Sequence, residues 1–190
     1  MEAALKTFTE WFEQAEKSAI KDATAMCLAT ATADGKPSAR MVLLKDFDKK
    51  GFVFYTNSES RKGGELTSNP YASLVLYWDI LNKQIRIEGR VEEVKGQEAD
   101  RYFYSRHPEK QYGAWASKQS QKLEKRQDLY DMIEEYKEKY PENPPRPPHW
   151  HGFRVVPSKI EFWEDGEFRL HERTIYEKID NKWQTYKLYP

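Results

Sequence analysis

The sequence predicts an α+β fold that is mainly antiparallel β, a barrel or sandwich with helices added to it. Three observations carry this. About eight short apolar or alternating segments recur along the chain, several joined by Gly or Asp-Asn turn signals. The three helical patterns do not alternate with strands one for one, as a doubly wound parallel sheet requires. No Gly-x-Gly-x-x-Gly follows a strand, so nothing marks a dinucleotide-binding crossover.

The elements follow in order. Leu5, Phe8, Phe12 and Ala15 recur at spacings of three and four, which predicts an N-terminal helix over about residues 3–20. "AMCLATAT" is a strand and "ADGKP" its turn. "SARMVLLKDF" (38–47) and "FVFYT" (52–56) form a second and third strand, joined across Gly51. "YASLVLYW" and "KQIRIEGRVEEV" are the fourth and fifth. "GQEADRYFYSR" predicts a helix that stops near Pro108. "SQKLEKRQDLYDMIEEYKEKY" (120–140) is the clearest helix, with Leu123, Leu129, Met132, Ile133 and Tyr136 on one side and Pro141 at its end. The proline-rich stretch 141–149 reads as a stiff surface connector. Three strands close the chain: "FRVVPSKIEFW", "FRLHERTIYEK" and "KWQTYKL".

With 190 residues and no internal repeat, the chain suits a single domain over 1–190. Lys plus Arg and Asp plus Glu are equal at 31 each, so the basic field of a nucleic-acid binder is missing. No apolar run approaches the ~20 residues that span a bilayer, and the N-terminus lacks a signal core. A cytoplasmic protein, away from membranes, is expected. Cys27 alone cannot build a disulfide framework and reads as a small buried hydrophobe. Aromatics, at 14%, are expected to supply core and subunit interface.

Four clusters can carry chemistry. Arg40, Lys45, Arg61 and Lys62 surround one β-hairpin, with Tyr55 and Thr56 between them. Regular pleating puts Arg40 and Lys45 on opposite faces. Arg61 and Lys62 stand near a helix start, where free N–H groups and cations favour a phosphate. Tyr102 and Arg106 share a helix face, with Lys110 just beyond, and can hold a phosphate or carboxylate. "GAWASKQS" after them offers small residues, an indole, an amide and hydroxyls for a flat polar ligand. Arg169, His171 and Arg173 alternate, hence share one face of a predicted strand, and point to an anion. His171 is the best titratable candidate. "HWHG" has no ligand spacing for zinc and reads as an aromatic patch under the connector, so no metal is expected. No Gly-x-Ser-x-Gly elbow or P-loop is present.

"RMVLLK", "FVFYTNSESRK", "GAWASKQS", "HGFR", "IEFWEDGEFRLHER" and the final "KLYP" resemble the pyridoxamine 5′-phosphate oxidase family, in order from about Ala25 to Pro190. That resemblance implies a split β-barrel with flanking helices, forming a homodimer with FMN at the subunit interface. It implies a pyridoxal 5′-phosphate synthase of vitamin B6 metabolism. Pyridoxamine or pyridoxine 5′-phosphate would be oxidised to pyridoxal 5′-phosphate as O2 is reduced to H2O2, with ammonia released from the amine. Matched to the family's FMN segments are Arg40, Met41, Val42, Leu43, Leu44 and Lys45, then Tyr55, Thr56, Arg61 and Lys62. Gln84, Gln119, Ser120, Trp163 and Arg173 match further FMN contacts. Lys45, Tyr102 and Arg106 match the substrate-phosphate grip. Arg169 and His171 match the residues over the substrate ring and are the implied catalytic pair. Lys110 stands where the family usually has a phosphate-binding Ser. The chain also begins almost at the first helix, without the N-terminal segment that covers the site in some members. Two other readings stand beside this one: a split-barrel flavoprotein acting on another anionic substrate, and a non-catalytic binder of FMN or pyridoxal phosphate.

Overall fold

Nine strands pair antiparallel in one sheet, and the two ends of that sheet are consecutive in the chain. A computed structural model describes residues 1–190. Its elements run α1 (Glu2–Lys17), β1 (Ala25–Ala31), β2 (Pro37–Leu43), β3 (Asp46–Asp48), β4 (Gly51–Asn57), α2 (Arg61–Ser68), β5 (Tyr71–Trp78) and β6 (Lys83–Val94). They continue with α3 (Gly96–Ser105), α4 (Pro108–Ala116), α5 (Arg126–Lys139), β7 (Trp150–Glu164), β8 (Glu172–Ile179) and β9 (Lys182–Lys187). The strand order is β2-β1-β5-β6-β7-β4-β3, with β8 and β9 added beside β7. Only Leu44 and Lys45 separate β2 from β3, so the sheet must curl until its ends approach. This is a barrel split between β2 and β3, the split β-barrel with flanking helices that the resemblance implies.

The split explains why the predicted strand 38–47 is two strands. Leu44 donates its N–H to Thr24 O (2.8 Å) on the β1 side, while Lys45 donates to Val53 O (2.8 Å) of β4. The backbone changes partner between adjacent residues, so the pleat is interrupted there. Arg40 and Lys45 therefore do not take the opposite faces that unbroken pleating predicts.

The core fills the barrel and is capped by α1. Phe8 and Phe12 of α1 meet Phe47 at centroid distances of 4.7 and 5.4 Å, and Phe8 meets Phe52 at 4.9 Å. Ala4 and Ala15 complete the buried stripe at helical spacing. Trp78 is buried and donates Nε1–H to Ala23 O (3.1 Å), which satisfies its one polar atom. The long β6–β7 pair shifts register between Glu88 and Gly89, opposite Pro157. A Cβ on Gly89 would stand 2.1 Å from Val156 O, so this bulge requires glycine.

Other differences from the sequence reading have local causes. The first helix ends at Lys17, where Ser18 turns extended and closes the last turn through Ala15 O. Pro108, read as a stop, is the first residue of α4, where its missing N–H costs nothing; the His107 side chain caps it by accepting from Glu109 N–H (3.3 Å). The predicted helix 120–140 forms only from Arg126, where the Asp128 carboxylate reaches back to accept from Lys125 N–H (3.2 Å). Phe168 and Arg169 have φ of 57° and 65°, so they form a tight turn and β8 begins at Glu172 instead of 168. Residues 141–149 contain neither helix nor strand. No helix is long and apolar enough to cross a membrane.

Candidate functional site

A cavity of about 1040 Å³ opens beside the split. Arg40, Met41, Val42 and Leu43 of β2 form one wall, with Lys45 just past the strand. Tyr55 and Thr56 of β4, Arg61 and Lys62 of α2, and Gln119 and Ser120 form another. Tyr102, Arg106 and Lys110 close the side made by α3 and α4. The interruption at Leu44 is what lets Arg40 and Lys45 face the same space. Leu44 itself is a correction: its side chain is buried in the core and does not line the cavity.

One end of the cavity is built on the start of α2. Ser60 caps the helix by accepting from Gly63 N–H. Lys62 is 7% exposed, and its ammonium donates to Thr56 Oγ1 (3.2 Å), Ser60 Oγ (3.3 Å) and Gln119 Oε1 (3.1 Å). All three acceptors are neutral. Burial, then the charge of Arg40, pushes the Lys62 pKa down. Arg40 and Arg61 both pair with Glu65, at 3.2 and 2.9 Å. Glu65 also accepts from Thr30 and Ser38. Burial alone would raise its pKa, but these four donors together hold it down at about 2. The carboxylate thus orients two guanidinium groups while Lys62 keeps an uncompensated charge.

The other end gathers cations on aromatic rings. Tyr55 stacks on Tyr102 at 4.2 Å and on Trp150 at 5.4 Å. Arg106 lies over the Trp150 ring at 4.6 Å, and its Nη1 is buried with no hydrogen-bond partner. Burial lowers the pKa of Lys45 first, Asp22 opposes this, and the charges of Lys110 and Arg106 lower it further. Neither Lys45 nor Lys110 has an ion-pair partner, so three cations repel one another across one space. Burial raises the hydroxyl pKa of Tyr102, and raises that of Tyr55 to about 12, so both remain O–H donors at neutral pH.

The remaining candidates form a second patch. Gln84, Trp163, Arg169, His171 and Arg173 line none of this cavity. Gln84 is opposite Trp163, and Trp163 opposite Arg173, across adjacent strands. Arg173 pairs with Glu161 at 2.7 Å, while Arg169 stands exposed without an ion pair. The shared strand face expected for Arg169, His171 and Arg173 is not present, because the first two lie in the turn before β8. The Trp115 indole is a second correction to the ligand surface predicted in "GAWASKQS". It faces the connector, donates to Pro145 O (2.6 Å) and meets Tyr136, Tyr140 and His149. Of the "HWHG" patch expected beneath the prolines only His149 joins this cluster; Trp150 lines the cavity and His151 packs on Phe153.

The sequence reading missed Asn57 and Trp150 on the cavity wall, whereas Ser117 is one of the hydroxyls expected there from "GAWASKQS". Trp150 was legible only as part of the aromatic patch, since its stacking partners lie far back in the chain.

Fold and cavity together define a split-barrel protein with a cation-lined cleft between sheet and helices. Comparison with known proteins gives the family. A family profile described as pyridoxamine 5′-phosphate oxidase matches residues 12–164, and one described as the pyridoxine 5′-phosphate oxidase C-terminal dimerisation region matches 150–190. The pyridoxine/pyridoxamine 5′-phosphate oxidase of Myxococcus xanthus (strain DK1622) is 55% identical over 187 residues, covering 98% of this chain and 91% of the relative. That of Trichormus variabilis is 50% identical, covering 97% and 87%. Among solved structures, PhzG from Burkholderia lata 383, in complex with tetrahydrophenazine-1-carboxylic acid, aligns with a TM-score of 0.93 at 35% identity, over 98% of this chain and 92% of that one. A pyridoxamine 5′-phosphate oxidase-related, FMN binding protein from Nostoc punctiforme shares the fold, with a TM-score of 0.76 at 14% identity over 97% and 96%. The chain belongs to the pyridoxamine 5′-phosphate oxidase family.

Proposed function

We propose that this chain is an FMN-dependent oxidase that converts pyridoxamine or pyridoxine 5′-phosphate to pyridoxal 5′-phosphate, with O2 reduced to H2O2. The observation that carries the reading is a cavity with cations at both ends and too few carboxylates to match them. A buried ammonium without a counter-ion, and a buried guanidinium with an orphaned N–H, are costly unless an anion joins them. Lys62 with Arg61 suits the phosphate of FMN. Lys45, Tyr102, Arg106 and Lys110 suit the phosphate of the substrate. FMN held there would supply the two-electron acceptor for the substrate and pass the pair to O2.

The chain's own residues have separable tasks. Glu65 holds Arg40 and Arg61 towards the cofactor end. Tyr102 and Arg106, fixed on the Tyr55–Trp150 stack, orient the substrate by its phosphate. Arg169 and His171 would come from the second copy of a homodimer, because they are absent from this chain's cavity. The matched dimerisation region and the exposed Phe168 (89%), Leu170 (68%) and Met41 (65%) support that assembly. There Arg169 would steady developing charge and His171 would take the proton that leaves the substrate's amine or hydroxyl.

A second reading, oxidation of a carboxylate substrate by the same flavin, is favoured by the PhzG likeness and by Lys110. The deciding experiment follows flavin absorbance in the purified protein, then peroxide after adding pyridoxamine 5′-phosphate or tetrahydrophenazine-1-carboxylic acid. Peroxide from the phosphate alone supports the first reading, and from the carboxylic acid alone the second. A colourless protein that takes up no FMN overturns both.

A further inference from the structure

We propose that Asp165 is a positioning residue that fixes the tautomer of His171, so that Nε2 carries the lone pair offered to the substrate. The proposal rests on the oxidase reading above, but its central measurement does not. His171 Nδ1 lies 2.8 Å from Asp165 Oδ1 and 3.3 Å from the backbone N of Gly166. These two contacts demand opposite states of one atom. A bare Nδ1 could accept from Gly166 N–H, but it would then set its lone pair against a carboxylate oxygen at hydrogen-bond distance. A protonated Nδ1 donates to Asp165 in a charge-assisted bond, at the cost of a longer, weaker contact from Gly166. The shorter distance and the charge select Nδ1–H, which leaves Nε2 unprotonated in the neutral ring.

The turn is built to hold this contact. The Trp163 and His171 rings are 4.6 Å apart, and the imidazole is mostly covered. A Cβ at Gly166 would stand 2.3 Å from Leu170 O, so only glycine lets the Asp165 loop fold back this closely. Glu167 in the turn is exposed and unpaired, and the charges on the adjoining strands are engaged elsewhere. Glu164 pairs with Lys83 of β6 (3.5 Å), Glu172 with Lys187 of β9, and Arg173 with Glu161 of β7 (2.7 Å). Arg169 is the one nearby cation in the turn without a carboxylate partner. Asp165 is the carboxylate in direct contact with His171 Nδ1.

The test is a long-range 1H–15N correlation of histidine side chains in the full-length, FMN-loaded protein, titrated across neutral pH. The chain has four histidines, and His171→Asn assigns the resonance. The parent should show the Nδ1–H form when neutral. In Asp165→Asn the neutral ring should drift towards Nε2–H, because the acceptor that holds the proton on Nδ1 is weakened. Turnover of pyridoxamine 5′-phosphate should fall about tenfold in kcat with KM little changed, and Asp165→Glu should restore part of it. An Nε2–H parent, or a tautomer unmoved by Asp165→Asn, overturns the proposal. If the tautomer behaves as expected while the parent oxidises nothing, the positioning contact stands and the oxidase reading fails.

Discussion

Lys62, Glu65 and Arg169 each test a different physical statement about single side chains. Arg61→Ala with Lys62→Ala removes two charge-assisted contacts to a phosphate, each worth roughly 1.5–3 kcal/mol if fully formed. FMN affinity should fall at least tenfold, while riboflavin affinity, lacking the phosphate, should change little; equal losses by fluorescence titration would mean the pair acts through folding. Glu65 makes a pH prediction. Its folded pKa of about 2 is below the ordinary 4.5, so its stabilisation is fully present above about pH 4.5 and is lost as pH falls towards 2. The gap in denaturation midpoint between parent and Glu65→Gln should therefore be largest at neutral pH and shrink on acidification. Arg169→Met should slow anaerobic flavin reduction by pyridoxamine 5′-phosphate about a hundredfold at unchanged FMN occupancy, the scale of one lost preorganised donor. A parental reduction rate with weaker substrate binding would make Arg169 a binding residue only. The cations were legible in the sequence because they flank one hairpin. Glu65 was not, because beside Arg61 it reads as an ordinary i, i+4 helix pair. Its other partners, Thr30 and Ser38, lie 35 and 27 residues away.

At the scale of elements, the strands were readable because burial on one face writes an alternating pattern into them, as in β1, whose alternate residues are buried. Short polar elements carry no such imprint. α2 contains Gly63 and Gly64 and its helical state rests on the Ser60 cap. α4 begins at a proline that reads equally as an end. The turn at 167–169 was misread because Arg169, His171 and Arg173 keep a spacing of two, which imitates a strand although the backbone is left-handed at Arg169. α4 also makes a prediction of its own, since it is the element that carries Lys110 to the cavity. Lys110→Ser should raise KM for pyridoxamine 5′-phosphate several-fold with kcat held, and should flatten the dependence of KM on salt, because an exposed charge acts over a screened distance. An unchanged KM at low ionic strength would show that Lys110 points its charge at solvent and takes no part in the grip.

At the scale of the whole molecule, one chain supplies two surfaces that it does not bring into one cavity. The cavity holds Lys45, Lys62 and Arg106, while His171 packs on Trp163 elsewhere, with Arg169 in the turn just before it. A two-fold dimer resolves this if the cavity of each copy is completed by the patch of the other, since a two-fold interface presents the same pair of surfaces twice. Hybrid dimers test it. Arg106→Ala disables the cavity and Arg169→Met disables the patch, so each variant alone should be nearly inactive. In a mixed dimer one site collects both lesions and the other collects neither. Random reassociation makes about half of the dimers mixed, each with one intact site of two, so about a quarter of the parental activity should return. The measurement is peroxide production after the two variants are dissociated, mixed and reassociated, with each variant treated alone as control. If every site lies within one chain, no subunit in the mixture contains both intact surfaces, and activity stays at the sum of the two controls however completely the subunits exchange.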